Sequence, residues 1–241
     1  MRLRRVSSWF FGAVLLALGV NALLLVLITK AYDAVAEAQD HRQNALALAI
    51  DLQQETEQLT RLVRAYTATG APRYLLFYYD VLAIREGQKP PPLNYKRGDY
   101  WGKVIAGREQ HRIPADGPRR SLEDQMRTLG FGESELLAFK DVLNATAAMK
   151  LVEQKAFAAT QGLFDPNTQE FVSDGVVRLD YASLLVNNDA YNALTADLAT
   201  AVTNLVGKTD RRTRDDVDAA GKALWRWILL SLICMRSEGV V

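Results

Sequence analysis

The 241 residues carry 29 Lys and Arg against 28 Asp and Glu, a formal net charge of +1, and that balance leaves no basic footprint for a nucleic-acid partner. A single cysteine, Cys234, excludes an intramolecular disulfide, so any part folded outside a membrane holds together by packing alone. The 49% hydrophobic content is ordinary in amount but concentrated towards the start.

From Trp9 to Ile28 the chain reads WFFGAVLLALGVNALLLVLI, without a charge. As a helix it reaches about 30 Å, the thickness of a bilayer hydrocarbon core. Arg2, Arg4 and Arg5 precede it, whereas Lys30, Asp33 and Glu37 behind it nearly offset one another. This asymmetry predicts a cytoplasmic basic N-terminus over residues 1–8, a transmembrane helix over 9–29 and export of the chain beyond it. A cleaved signal peptide competes with that reading, since MRLRR resembles an n-region and Ala31, Ala34 and Ala36 come after. The apolar run exceeds a usual signal core and no Ala-x-Ala site directly follows it, so retention as an anchor is expected.

Beyond the anchor, Ala45, Leu48, Leu52, Glu55, Leu59, Leu62 and Tyr66 recur at spacings of three and four, and all but Glu55 are apolar or aromatic. That is the seam of a long helix predicted over Ala31 to Thr69. Gly70 suits a left-handed closing position and Pro72 the first turn of the next helix, which runs through YLLFYYDVLAIREG and stops at Gly87 before three prolines. Residues 88–120, rich in Pro, Gly and basic side chains, read as a long irregular loop in which Tyr95, Tyr100 and Trp101 pin segments against the helices. Ser121 reads as an N-cap with Glu123 and Asp124 in the first turn. A long helix then starts near Ser134, with Leu136, Phe139, Leu143 and Phe157 as core positions. A polar turn over Asp165 to Gly175 leads into a last helix carrying Leu184, Tyr191, Leu194, Leu198, Ala201 and Leu205.

That helix runs on into ALWRWILLSLICM, Ala223 to Met235. At about 20 Å it is short of a crossing, with Trp225 and Trp227 suited to the interface and Arg226 to snorkelling. The predicted fold class is therefore all-α: an N-terminal transmembrane helix, an antiparallel extracytoplasmic four-helix bundle over 30–222 with a long irregular loop, and a partial second transmembrane helix and tail over 223–241.

Catalytic chemistry finds no constellation. Neither G-x-G-x-x-G nor G-x-x-x-x-G-K-[ST] occurs. Glu133 and Glu135, with Asp124 and Asp141 nearby, read as helix-start and solvent-face residues. His41 and His111 are far apart and lack metal-ligand spacing, with His41 expected on the exposed side of its helix, and Cys234 in an apolar stretch is a poor nucleophile. The chain is expected to be no enzyme, with no catalytic residue, metal or cofactor. Arg61, Arg64, Arg73 and Arg85 are the binding candidates, since guanidinium groups near a turn can take a small carboxylate or phosphate bidentately. The competing reading pairs them with Glu55, Glu57, Asp80 or Glu86, at helix ends, or leaves them in solvent. Tyr66, Tyr74, Tyr78, Tyr79, Tyr95, Tyr100 and Trp101 either line a pocket or fill the core; Tyr74, Tyr78 and Trp101 are preferred as ligand lining because they adjoin the arginine-bearing turn and the loop.

LTRLVRAYTATGAPRY, LAIREGQKPPP, DYW and SLEDQMRTLGFGESELLAFKDVLNATAAMKLVEQKAF together resemble the extracytoplasmic input region of bacterial membrane-bound sensory transducers, chiefly hybrid sensor histidine kinases of two-component systems and chemoreceptor-like proteins. The resemblance covers about Ala31 to Lys222. It implies a periplasmic sensor domain anchored in the bacterial inner membrane, a small anionic ligand or a periplasmic protein as its stimulus, and a homodimer or a mixed dimer with a full-length receptor. The chain is expected to stop inside the second membrane helix, so the linker, phosphoacceptor histidine, ATP-binding domain and methylation helices of such proteins have no counterpart residues. Two other readings remain: a structural or adaptor protein tethering a periplasmic partner, and a secreted helical binding protein.

Overall fold

The computed structural model describes residues 2–93, 95–173 and 175–238. The side chains of Arg2, Arg4 and Arg5, on which the expected orientation rests, lie outside the described residues, as does the end of the tail. The fold is all-α, 77% helical. Among the described residues there are seven helices, α1 (Arg2–Thr69), α2 (Pro72–Arg85), α3 (Arg97–Ile105), α4 (Leu122–Thr128), α5 (Glu133–Gln161), α6 (Leu179–Leu185) and α7 (Asp189–Glu238), and one two-residue hairpin, β1 (Phe164–Asp165) with β2 (Glu170–Phe171).

The chain divides into two compact units. The first combines Met1–Asn44 with Asp210–Val241. Within it Leu15, Leu16, Leu18, Leu23 and Leu25 of α1 are exposed, as are Leu229, Leu230, Leu232 and Ile233 of α7. Its polar part is tied by Asp210, which accepts from Arg42 of α1 at 2.8 Å and from Arg214 at 2.9 Å. Among the described residues one helix, within α1, is long and apolar enough to cross a membrane, a description that a membrane span and a signal sequence both meet.

The second unit, Ala45–Thr209, holds the core. The seam on α1 turns inward as its spacing requires: Ala45, Leu52 and Leu62 are fully buried, and so is Glu55. Ala45, Leu52 and Leu62 join Tyr78, Val81 and Ile84 of α2, Trp101 and Val104 of α3, Met126 of α4, Phe139, Val142 and Phe157 of α5, and Tyr191, Leu198 and Leu205 of α7 in one hydrophobic cluster. A smaller cluster of Ala158, Ala159, Phe164 and Ala182 closes the end where α5, the hairpin and α6 meet.

Several local expectations hold. Gly70 ends α1 at φ 66°, and its N–H donates to the Tyr66 carbonyl. Pro72 opens α2. Ser121 caps α4, its Oγ accepting from the Asp124 N–H at 3.0 Å. Others need correction. The 88–120 segment is not irregular throughout, since it contains α3, whose Tyr100, Trp101 and Val104 recur at helical spacing and are buried. The last tract is two helices, because Asn188 interrupts it and caps α7, its Oδ1 accepting from the Tyr191 N–H at 2.8 Å. Leu143 and Leu184, expected in the core, are exposed. Glu135, expected to face solvent, is buried and accepts from the Gly132 N–H through Oε2 at 2.8 Å, so a helix-start role draws it inward. His41, expected to be exposed, is half-buried.

Candidate functional site

Among the described residues four carboxylate side chains are buried; Glu135 serves the start of its own helix, and the other three each recruit side-chain donors from elsewhere in the chain. Glu55 holds an inward position on α1 because the seam's spacing places it there. A charge so placed demands partners. The last turn of α2 supplies Arg85, whose Nε donates to Oε1 at 2.7 Å; the first residue of α3 supplies Arg97, whose Nη1 donates to Oε2 at 2.6 Å. Tyr95 donates a third, longer bond to Oε2 at 3.3 Å, and its own hydroxyl accepts from Trp101 Nε1 at 3.0 Å. Burial alone pushes the Glu55 carboxyl up, but the two guanidiniums outweigh it and hold the group below its ordinary value. One negative and two positive charges leave this triad with a positive excess. Among the described residues, Arg85 Nη2 is buried without a hydrogen-bond partner.

Asp80, on α2, is also buried. Its Oδ2 accepts from His111 Nε2 at 2.9 Å and its Oδ1 from Lys89 Nζ at 2.5 Å. With Nε2 committed as donor, Nδ1 of a neutral ring accepts from the Tyr100 hydroxyl at 2.9 Å. Burial raises the Asp80 carboxyl, and the bonds from His111 and Lys89 outweigh that and lower it. Glu153, on α5, has neutral company: the Tyr78 hydroxyl donates to Oε2 at 2.5 Å and the Tyr191 hydroxyl to Oε1 at 2.8 Å. Burial prevails there and the Glu153 carboxyl is raised, while burial and the facing carboxylate push both phenols up.

The residues singled out from sequence do not converge on one pocket. Arg61 is exposed. Arg64 ties α1 to the end of α6 and the start of α7, donating through Nε to the Val186 carbonyl at 3.3 Å and through Nη2 to Asn192 Oδ1 at 3.1 Å. Arg73 is exposed and folds over Tyr74, with its guanidinium 4.7 Å from the ring centroid and a 2.7 Å bond to the hydroxyl. Tyr78 is committed to Glu153, and Trp101 is fully buried 4.8 Å from the His111 ring. Only Arg85 joins a charged centre, through the Glu55 pairing that stood as the competing reading. Arg97 and Arg120 were missed in a segment read as loop; Glu55 announced itself as the one charged residue in an apolar seam.

Two clefts open beside the triad. One, about 370 Å³, is lined by Arg85 together with Leu82, Ser121, Phe139 and Lys150, and also by the acids Glu86 and Glu123. The other, about 410 Å³, is lined by Ile84, Pro91, Pro92, Tyr95, Arg97, Pro118, Arg120 and Gln125, with no acid among them. Among the described residues, no three His, Cys, Asp or Glu side chains gather where one cation could bind them all. Compared with known families, curated proteins and solved structures, the chain matches none.

Proposed function

We propose that this chain is the ligand-sensing input module of a bacterial inner-membrane receptor. In this reading residues 9–29 span the membrane with the N-terminus in the cytoplasm, the helices of the second unit form an antiparallel periplasmic bundle, and the apolar end of α7 belongs to a second membrane segment. The observation that carries it is the buried triad of Glu55, Arg85 and Arg97, beside open clefts, in a chain that also has an apolar helix long enough to span. A helical core gains little net stability from buried charge compared with apolar filling. Charge placed beside an open cleft does gain a means of responding to a charged ligand. α1 and α7 each contribute residues to both units, so a ligand that favours one packing of their inner parts can shift populations felt at the membrane. The resemblance to sensory transducers agrees with this and further proposes a homodimer, or a mixed dimer with a full-length receptor.

Topology tests the reading. Ala106 is exposed at the end of α3, and Ala106→Cys in a Cys234→Ala background should react with a membrane-impermeant maleimide in intact cells. Labelling only after the inner membrane is opened overturns the proposal. Release of the chain from washed membranes with loss of its N-terminal peptide would instead favour the secreted binding protein.

A further inference from the structure

The acid-free cleft has the composition of an anion receptor, and we propose that it binds a small carboxylate with an apolar body. This rests on the sensor reading and names the ligand class for that unit. Two guanidiniums, Arg97 and Arg120, share its lining with the Tyr95 phenol and the Gln125 amide, and the remaining walls are Ile84 and three prolines. Arg97 is held in place by Glu55, which is also held by Arg85, so one carboxylate is divided between two buried cations. Asp51, on α1, acts electrostatically on Arg97 but is not part of the lining. An anion in the cleft therefore meets positive charge that the protein's own lining leaves uncompensated. A guanidinium fork matches a carboxylate in geometry as well as charge.

The walls are fixed before any ligand arrives. Gly87, at φ 73°, brings the end of α2 so close to the next segment that a Cβ there would lie 2.7 Å from the Ser121 nitrogen, which seats Arg120 beside it. Gly117 approaches Pro90 so closely that a Cβ would lie 2.9 Å from the proline Cβ, locking the two proline-bearing segments together. Gln125 donates through Nε2 to the Arg120 carbonyl at 3.2 Å. Such preorganisation removes part of the ordering cost of binding. The volume of about 410 Å³ falls in the range of small-molecule sites. A bare phosphate would leave the proline and isoleucine walls uncovered, whereas a carboxylate on a flat apolar body covers both kinds of surface.

The test uses the full chain purified in detergent, with benzoate as probe, benzamide as its uncharged counterpart and inorganic phosphate as the anion without an apolar body. Ligand-observed NMR should show benzoate binding at millimolar concentration, benzamide not binding, and phosphate competing only weakly. Arg120 is exposed, so its replacement should leave the fold intact, which a melting curve checks. Arg120→Glu should weaken benzoate by about tenfold or more, and Arg120→Lys, which keeps the charge but loses the fork, by less. Absence of benzoate binding to the wild type, equal binding by the Arg120→Glu variant, or phosphate binding as well as benzoate each overturns the proposal. Because binding is read in detergent, it does not depend on which side of the membrane the unit occupies. A failed topology experiment would leave it standing, and a failed titration would leave the membrane reading standing.

Discussion

Glu55 and Glu153 are the same side chain, buried to a similar degree in one core, and their surroundings drive them in opposite directions. Around Glu55 the donors are cations, and the carboxyl is held below its ordinary value despite burial. Around Glu153 the donors are two phenols, and burial raises it. Hydrogen bonds of similar length are made in both places, so bond geometry does not decide the outcome. A neutral donor satisfies a lone pair without cancelling the cost of dehydrating a charge; an adjacent cation does both. The triad end of the core is thus built to keep charge, and the tyrosine-clamped layer tolerates losing it.

One substitution applied at both positions breaks the comparison most sharply. Glu55→Gln keeps the volume and an acceptor oxygen but takes from buried Arg85 and Arg97 the carboxylate they share, leaving Arg97 only the electrostatic influence of Asp51, and should destabilise by about 3–5 kcal/mol. Urea unfolding followed by helical circular dichroism at neutral pH reads this directly. Because the folded value of Glu55 is lowered, its contribution is present above the ordinary value of 4.5 and is lost as pH falls through the folded value. The deficit of the variant should therefore shrink in acid. A loss well under about 1 kcal/mol would mean that the two arginines are stable without Glu55, and the account of the triad would be wrong.

Glu153→Gln should act in the opposite sense and more weakly. The folded value is raised, so the stability linked to this carboxyl is fully present below 4.5 and is lost as pH rises through the folded value. At neutral pH the wild type carries the cost of a buried charge that the amide does not have. The amide oxygen can accept from one phenol and its NH₂ can donate to the hydroxyl oxygen of the other. The variant should be equal to the wild type or up to about 1 kcal/mol more stable at neutral pH, and the two should converge as pH falls towards 4.5. Parallel pH profiles, with no convergence, would show that Glu153 is charged at no special cost.

The difference between these two residues was half legible in the sequence. The seam on α1 could be read from its spacing, and a lone Glu within it implies a buried charge whatever the fold. Its partners could not be read, because Arg85 is 30 residues away and Arg97 is 42, and no local rule joins a helix interior to the start of a distant helix. α3 was hidden by composition: Pro90, Pro91 and Pro92 before it and the Gly- and Pro-rich stretch after it describe its flanks, while Tyr100, Trp101 and Val104 carried the helical signal. Asn188 before Asp189 was a readable cap that the absence of Gly or Pro obscured. The turn flanked by Arg61, Arg64 and Arg73 is dense in positive charge. The cleft is built instead from residues whose significance depends on which loop segments meet, and that is settled by close approaches such as Gly117 on Pro90.

Asp80 lies between the two extremes, and Lys89→Gln separates them with the smallest effect. Its carboxyl is buried, yet one of its partners, Lys89, has a side chain about half exposed at 47% and therefore screened by water, while the side chain of the other, His111, is only 7% exposed. Because Lys89 is exposed and the His111 Nε2–H bond to Asp80 and the packing around it remain, removing the lysine should cost less than about 1 kcal/mol at neutral pH. The folded value of Asp80 is lowered, so the contribution of Lys89 is present above the ordinary 3.8 and is lost as pH falls through the folded value. Melting temperatures of variant and wild type should differ slightly at neutral pH and coincide well below 3.8. A neutral-pH loss as large as that of Glu55→Gln would place Lys89 among the essential counter-charges, and exposure would no longer explain why one centre is costly to open and another is not.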